Sequence, residues 1–261
     1  MKRFLLLAFA GVALLPVSAL AADLGQPVYK AAPPPPPPPA YSWTGCYVGA
    51  GFGYGLWTQD HQEFDLSGDP ESLTSTSGGK GWLGDAQVGC DYQVPAFGVN
   101  WVVGAFADYD WADIHGAHDL SLETFPFVAD EKLNSQWSVG GRLGWVAQEH
   151  LLLFVSGGYT QAHFEGYNVL SNSGDFGGLG TPAFSVDSRN RNGWFLGSGY
   201  EYVIPWFPNL TWKTEYRFSE FNSATDTIFD LTGTPAFQTT STKWEQTVVT
   251  NLTWRFNWFG H

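Results

Sequence analysis

Beyond its first twenty residues the chain has no run of 18 apolar residues, so no helix there is long and apolar enough to cross a bilayer. Positive charge is scarce: 12 Lys and Arg stand against 25 Asp and Glu, a formal net charge of -13. That balance argues against nucleic acid as a partner. There are only two cysteines, Cys46 and Cys90, and no CxxC spacing, which excludes a dithiol redox motif and leaves a structural pair. What is plentiful is aromatic and glycine: 17% of residues are Phe, Trp or Tyr, and 31 are Gly. Aromatic girdles and a glycine-rich barrel wall would use both, although a secreted soluble β protein could share the composition.

The N-terminus reads as an export signal. Lys2 and Arg3 form a basic start, Phe4 to Val17 an apolar stretch, and Ala19-Leu20-Ala21 a small-residue cleavage site. Residues 1–21 are expected to be removed, leaving ten basic against 25 acidic residues, a charge of -15. Residues 22–40 form a leader ending in seven prolines, Pro33 to Pro39. This run predicts polyproline II of roughly 22 Å at ~3.1 Å per residue. It suits a stiff periplasmic spacer, with docking to a periplasmic partner as the alternative.

From residue 41 to 261, eight stretches alternate between apolar and polar residues, the period of a β-strand whose faces meet different surroundings. In Trp43–Leu56, Val48, Ala50, Phe52, Tyr54 and Leu56 share one face, and Tyr47 and four glycines share the other. The stretches Gly81–Val94, Asn100–Ala112, Gln136–Val146, Leu151–Gln161, Trp194–Val203, Asn209–Ser219 and Trp244–Trp258 repeat the pattern. One face carries residues such as Trp101, Tyr200 and Trp212. The other carries Asp85, Asp108, Asp110, Arg142, Glu201, Lys213, Glu215, Arg217, Glu245 and Arg255. An apolar face on every strand and charges on the other, behind an export signal, predict lipid outside and ionised groups within. The expected fold is all-β, an eight-stranded antiparallel up-and-down transmembrane barrel. Connections alternate short and long, the long ones being Trp57–Lys80, Asp113–Ser135, Ala162–Gly193 and Glu220–Lys243. That is the rhythm of short periplasmic turns and long outer loops, with both termini in the periplasm.

If the first two strands pair residues whose numbers sum to 136, Val48 faces Val88, Ala50 faces Ala86 and Tyr54 faces Trp82. The same register sets Cys46 opposite Cys90, and an exported chain meets an oxidising compartment, so a cross-strand disulfide is expected. The interior charges carry both signs, which predicts an ion-pair network filling a lumen too narrow for a wide pore. A narrow channel is the alternative. Asp108 and Asp110 could be read as an acid/base pair, but they face that filled lumen, and no nucleophilic triad is found. Asp113, His115 and His118, in "DIHGAHD", could hold a metal or haem iron from the second outer loop, with His61 and His163 as helpers. No cofactor is expected, and monomer is the default. Exposed loop phenylalanines such as Phe125, Phe127 and Phe176 either pack within the loops or meet a partner.

The leader and first strand resemble the porin-like, immunogenic outer-membrane proteins of alphaproteobacteria. The residues concerned are "ALAADL", the prolines and "WTGCYVGAGFGYG", with Cys46 where that family usually has an aromatic. The segments "GDAQVGCDYQ", "VVGAFADYDWADIHG", "GGRLGW", "FVSGGYT", "GSGYEY", "TWKTEYRF" and "NLTWRF" extend the likeness over nearly the whole chain. The resemblance implies an eight-stranded barrel in the cell outer membrane, inserted by the assembly machinery that reads a terminal aromatic strand, here Asn251 to Phe256 with "NWFGH" beyond it. It implies roles in envelope integrity and surface antigenicity and, for some members, haemin binding. It carries over no catalytic residues. The leading expectation is therefore a non-enzymatic envelope barrel displaying acidic loops, whose partners are outer-membrane lipid and the assembly machinery. The first alternative is a narrow porin-type channel, or a protein binding haemin, metal or a host ligand at its outer loops through His115 and His118. A lipid enzyme using His163 and Ser185 is the third.

Overall fold

The structure is a computed structural model; it describes residues 41–122, 125–172 and 177–256, with backbone alone at 118–122, 125 and 126. The expected signal and leader, and the residues after Phe256, lie outside the described residues. So do Phe176 and the side chains of Phe125 and His118. Ten strands follow one another: β1 (Gly45–Phe64), β2 (Ser75–Ala96), β3 (Val99–Leu122), β4 (Phe125–Gln148), β5 (Leu151–Phe164), β6 (Tyr167–Ser171), β7 (Pro182–Val186), β8 (Arg189–Val203), β9 (Leu210–Asp230) and β10 (Pro235–Phe256).

Eight of these close a ring. Antiparallel pairing runs β1–β2–β3–β4–β5–β8–β9–β10, and β10 returns to β1 from Phe64↔Gln238 to Cys46↔Phe256. Closure leaves no unpaired edge in the wall, as a chain in hydrocarbon requires. The β1–β2 register is the one the alternation predicts: Val48↔Val88, Ala50↔Ala86 and Tyr54↔Trp82, with Cys46 opposite Cys90. Those two cysteines form a disulfide on the outer surface of the wall.

The outward face divides into a middle apolar band and two aromatic girdles. Val48, Phe52, Val88, Val103, Val139, Leu143, Val155 and Leu252 are exposed in the band. Tyr92, Trp145, Tyr202, Trp212 and Trp254 ring the end that carries the short turns, and Tyr54, Trp82, Trp111, Trp137, Tyr159 and Trp194 ring the other. In the second girdle Tyr54 and Trp82 meet edge-on at 5.0 Å, and Trp137 and Tyr159 lie 5.3 Å apart. Such belts sit at the two membrane–water interfaces.

Beyond the second girdle the chain is not mostly loop. β1 continues to Phe64, β3 to Leu122, β9 to Asp230, and β4 starts at Phe125, so much of each expected long loop is strand. There the alternation inverts. One inward layer becomes apolar (Trp57, Ile114, Leu133, Phe164, Phe221), with buried polar residues such as Gln59, His61 and Glu131 beyond it, and outward positions become polar (Thr58, Asp113, Lys132, Glu220). Water now lies outside the wall, so the outward face carries polar side chains and the large apolar ones pack inside. The third connection holds the hairpin β6–β7, which joins β4 through Phe127–Ala129 and β9 through Ile228–Asp230. Phe127 thus packs inside, in a cluster with Ala129, Val169, Phe184 and Ile228, rather than facing a partner.

The opposite end is closed locally. Trp43 is not in a strand; it is fully buried with Val102, Leu152 and Val203. Its backbone N–H donates to Gln93 Oε1 at 2.9 Å. The turn between β2 and β3 has positive φ at Phe97 (55°) and Gly98 (78°), the two-residue turn whose twist suits a tight hairpin.

Candidate functional site

The inward residues stack as alternating apolar and charged layers. Just above the Trp43 layer, Arg142 and Arg255 meet Asp91 and Glu201. Arg142 donates through Nε to Asp91 Oδ1 at 2.8 Å and through Nη1 to Glu201 Oε2 at 2.9 Å. Arg255 holds Glu201 with two parallel bonds of 2.8 and 2.9 Å and reaches Asp91 Oδ2 at 2.8 Å. Thr211 Oγ1 adds a bond to Glu201 of 2.7 Å. Two guanidiniums and two carboxylates thus compensate one another, all buried. Both guanidiniums also stack over the Tyr47 ring, at 4.8 and 5.0 Å. Tyr47 has room because β2 has Gly89 opposite it: a Cβ there would come within 2.5 Å of the ring. Asp91 belongs to this layer, as the alternation along Gly81–Val94, which turns it inward, implies. Its signal was its phase, four residues on from Gln87 and inward like Asp85.

The middle layer is packed around Tyr47, Phe106 and Phe195. Arg217 grips Asp108 with bonds of 3.1 and 2.9 Å, and Lys213 Nζ lies 2.8 Å from Glu215 Oε2 and 2.8 Å from Gln87 Oε1. Arg217 also lies 4.3 Å from the Phe195 ring. Asp85, Asp110 and Glu245 share this layer, yet none has a cation within 4.0 Å among the described residues. A cavity of about 10 Å³ lies among Asp85, Asp108, Asp110, Lys213, Glu215, Arg217 and Asn251. That is room for about one water molecule.

Above the Trp57–Phe164 layer lies a third charged set. Lys243 Nζ sits 2.7 Å from Glu131 Oε2, Arg189 pairs with Glu131 and, through Nε at 2.8 Å, with Asp226, and Arg191 also pairs with Asp226. These five residues fall in stretches expected to be loop, so the sequence reading missed them. Arg191 and Lys243 continue the inward phase of Phe195 and Glu245, whereas irregularities in the ladder near Leu133 and Phe221 switch the facing of Glu131 and Asp226.

The outer histidine motif lies in β3. His115 Nε2 is 3.0 Å from Asp113 Oδ1, its Nδ1 is 3.4 Å from Asp130 Oδ2, and Lys132 Nζ is 3.1 Å from Asp113. Asp113 sits beyond the girdle; the hydrogen bond from Lys132, then that from His115, holds its carboxyl below the usual range. Both His115 ring nitrogens therefore face carboxylates within a solvated ion cluster. His61 is elsewhere, buried in β1 with Nε2 2.9 Å from Ser75 Oγ. His163 bonds Asn190 at 2.7 Å, and Ser185 pairs with Asn168 in the β6–β7 hairpin.

A family profile described as the outer membrane protein beta-barrel domain matches residues 7–256. The chain belongs to this outer-membrane β-barrel family. This barrel is 30% identical over 227 residues to the 31 kDa outer-membrane immunogenic proteins of Brucella melitensis and Brucella suis, covering 84% of the chain and 87% of each relative. Among solved structures it is similar to the Yersinia pestis attachment invasion locus protein Ail (12% identity, 80% of this chain and 99% of that one, TM-score 0.31). It is also similar to Neisserial surface protein A (11%, 84% and 100%, 0.34) and to the Escherichia coli outer membrane protease OmpT (10%, 80% and 97%, 0.43). Overlaps this loose give no residue correspondence. The barrel is a protein of the cell outer membrane, with a surface and envelope role.

Proposed function

We propose that this barrel is a non-enzymatic, structural envelope protein whose largely filled lumen conducts no ions and whose outer extension is the surface it displays. The observation that carries this reading is the dry layer at the short-turn end. Trp43, Val102, Leu152 and Val203 are all fully buried there, directly below the compensated Arg142–Arg255–Asp91–Glu201 layer. An ion crossing that level would shed its hydration shell against a layer that is mostly apolar. The strand-built outer extension, to which the β6–β7 hairpin is paired through β4 and β9, supports display of a folded surface, the kind of surface an immunogenic protein presents. Residues 1–21 act as the export signal and 22–40 as a periplasmic leader, and the chain works as a monomer in outer-membrane lipid after insertion by the assembly machinery.

Planar-bilayer recording of the detergent-purified protein tests the filled lumen. The expected trace is flat at all voltages. Reproducible ohmic steps, enlarged by Trp43→Ala, would make it a narrow channel instead. Haemin titration beside His115→Ala/His118→Ala covers the ligand-binding alternative; the expected result is no saturable, histidine-dependent absorbance change.

A further inference from the structure

We propose that the pocket where β10, β1, β2 and β3 meet in the middle layer binds one hard divalent cation, of the calcium–magnesium class, through Asp85, Asp108, Asp110 and the side-chain carbonyl of Asn251.

The register brings these groups together. Asn251 pairs with Gly51, Gly51 with Asp85, and Asp85 with Asp110, so one row crosses four strands. Asp108 is the next inward position on β3. One carboxylate oxygen from each aspartate lies within 4.8 Å of the others. Calcium–oxygen bonds of ~2.3–2.6 Å let a single ion span roughly that distance.

Like charges directly opposite on neighbouring strands repel, and three carboxylates in a dry interior repel strongly. Arg217 compensates Asp108, which leaves two negative charges among the three aspartates, the complement of a dication; Glu245, the layer's third carboxylate without a cation, does not line the cavity. Glu215 is already matched by Lys213.

A second, independent feature points the same way. Asn251 is 97% buried and its Oδ1 has no hydrogen-bond partner, although it lines the same cavity. That oxygen leans across Gly51 toward β2: a Cβ at Gly51 would strike it. Gly51 is therefore the gap through which Asn251 reaches the aspartates. A donor set of carboxylates and an amide carbonyl, with neither nitrogen nor sulfur, selects calcium or magnesium over zinc or copper. The cavity of about 10 Å³ admits one such ion.

The test is metal analysis of the full-length product isolated from outer membranes in detergent without chelator, then dialysed. The expected content is near one calcium or magnesium per chain, falling at least tenfold in Asp85→Asn/Asp110→Asn and unchanged in the surface control Asp69→Asn/Asp187→Asn. Metal-free wild type, or metal retained by the interior variant, would overturn the site. Should that variant fail to fold, the wild type decides alone. Refolded from urea, it should unfold several degrees higher with millimolar calcium or magnesium than with chelator. Equal midpoints would mean the aspartates carry protons instead. Neither readout depends on whether the barrel conducts.

Discussion

The two charged layers inside the membrane-spanning wall solve the same problem differently. In the lower one, Arg142 and Arg255 meet Asp91 and Glu201 in equal number, and each carboxylate is held by both guanidiniums. In the middle one, Lys213 and Arg217 stand among five carboxylates, and Asp85, Asp110 and Glu245 are left without a cationic side chain. A buried charge is tolerable only when it is compensated. The lower layer is complete in its own residues, whereas the middle one depends on something that comes from solution.

Four measurements would break or sharpen that contrast. The largest effect is expected from Glu201→Ala, which leaves two buried guanidiniums sharing Asp91 and should cost about 3–5 kcal/mol in a reversible unfolding assay, whatever the metal present. Cys46→Ala/Cys90→Ala, in the wall and outside both layers, should lose about 2–4 kcal/mol by freeing the loop between residues 46 and 90 in the unfolded chain. Asp110→Asn should change sign with conditions. It should stabilise by about 1 kcal/mol in chelator, by removing a carboxylate from opposite Asp85, and destabilise when calcium or magnesium is supplied. Loss of stability under both conditions would make the two layers alike. The smallest change is expected from Phe97→Asn, which relieves a bulky residue held at positive φ and should add about 0.5 kcal/mol with no metal dependence.

Which parts were legible follows from which solvent each segment meets. Within the bilayer the outward face must be apolar at every second residue, so alternation alone gave eight strands, their facing and the β1–β2 register down to Cys46 and Cys90. Above the girdle both the lipid and its constraint vanish. Trp57, Ile114 and Phe164 keep the inward facing of Tyr47, Asp110 and Ser156 while Thr58, Asp113 and His163 turn outward, so the polarity of the two faces is exchanged and reads as irregular chain if one solvent is assumed throughout. The interior charges were legible as a set, because each sits between two lipid-facing residues. Their partners were not, because pairings such as Arg142 with Glu201 or Arg217 with Asp108 span the lumen between strands that do not touch. The β6–β7 hairpin left no pattern long enough to read; its strands are five residues each.

Ring closure through Cys46↔Phe256 also sets a timetable. The first strand to leave the export channel finds its final neighbour only when the last has followed, some two hundred residues later. Until then the edge of β1 that β10 will cover stays unpaired, and the bonds of Arg255 to Asp91 and Glu201 cannot form. Assembly is therefore post-translational by geometry. A chain truncated before β10 has an open seam from end to end, and its expected fate is degradation in the periplasm rather than a smaller barrel.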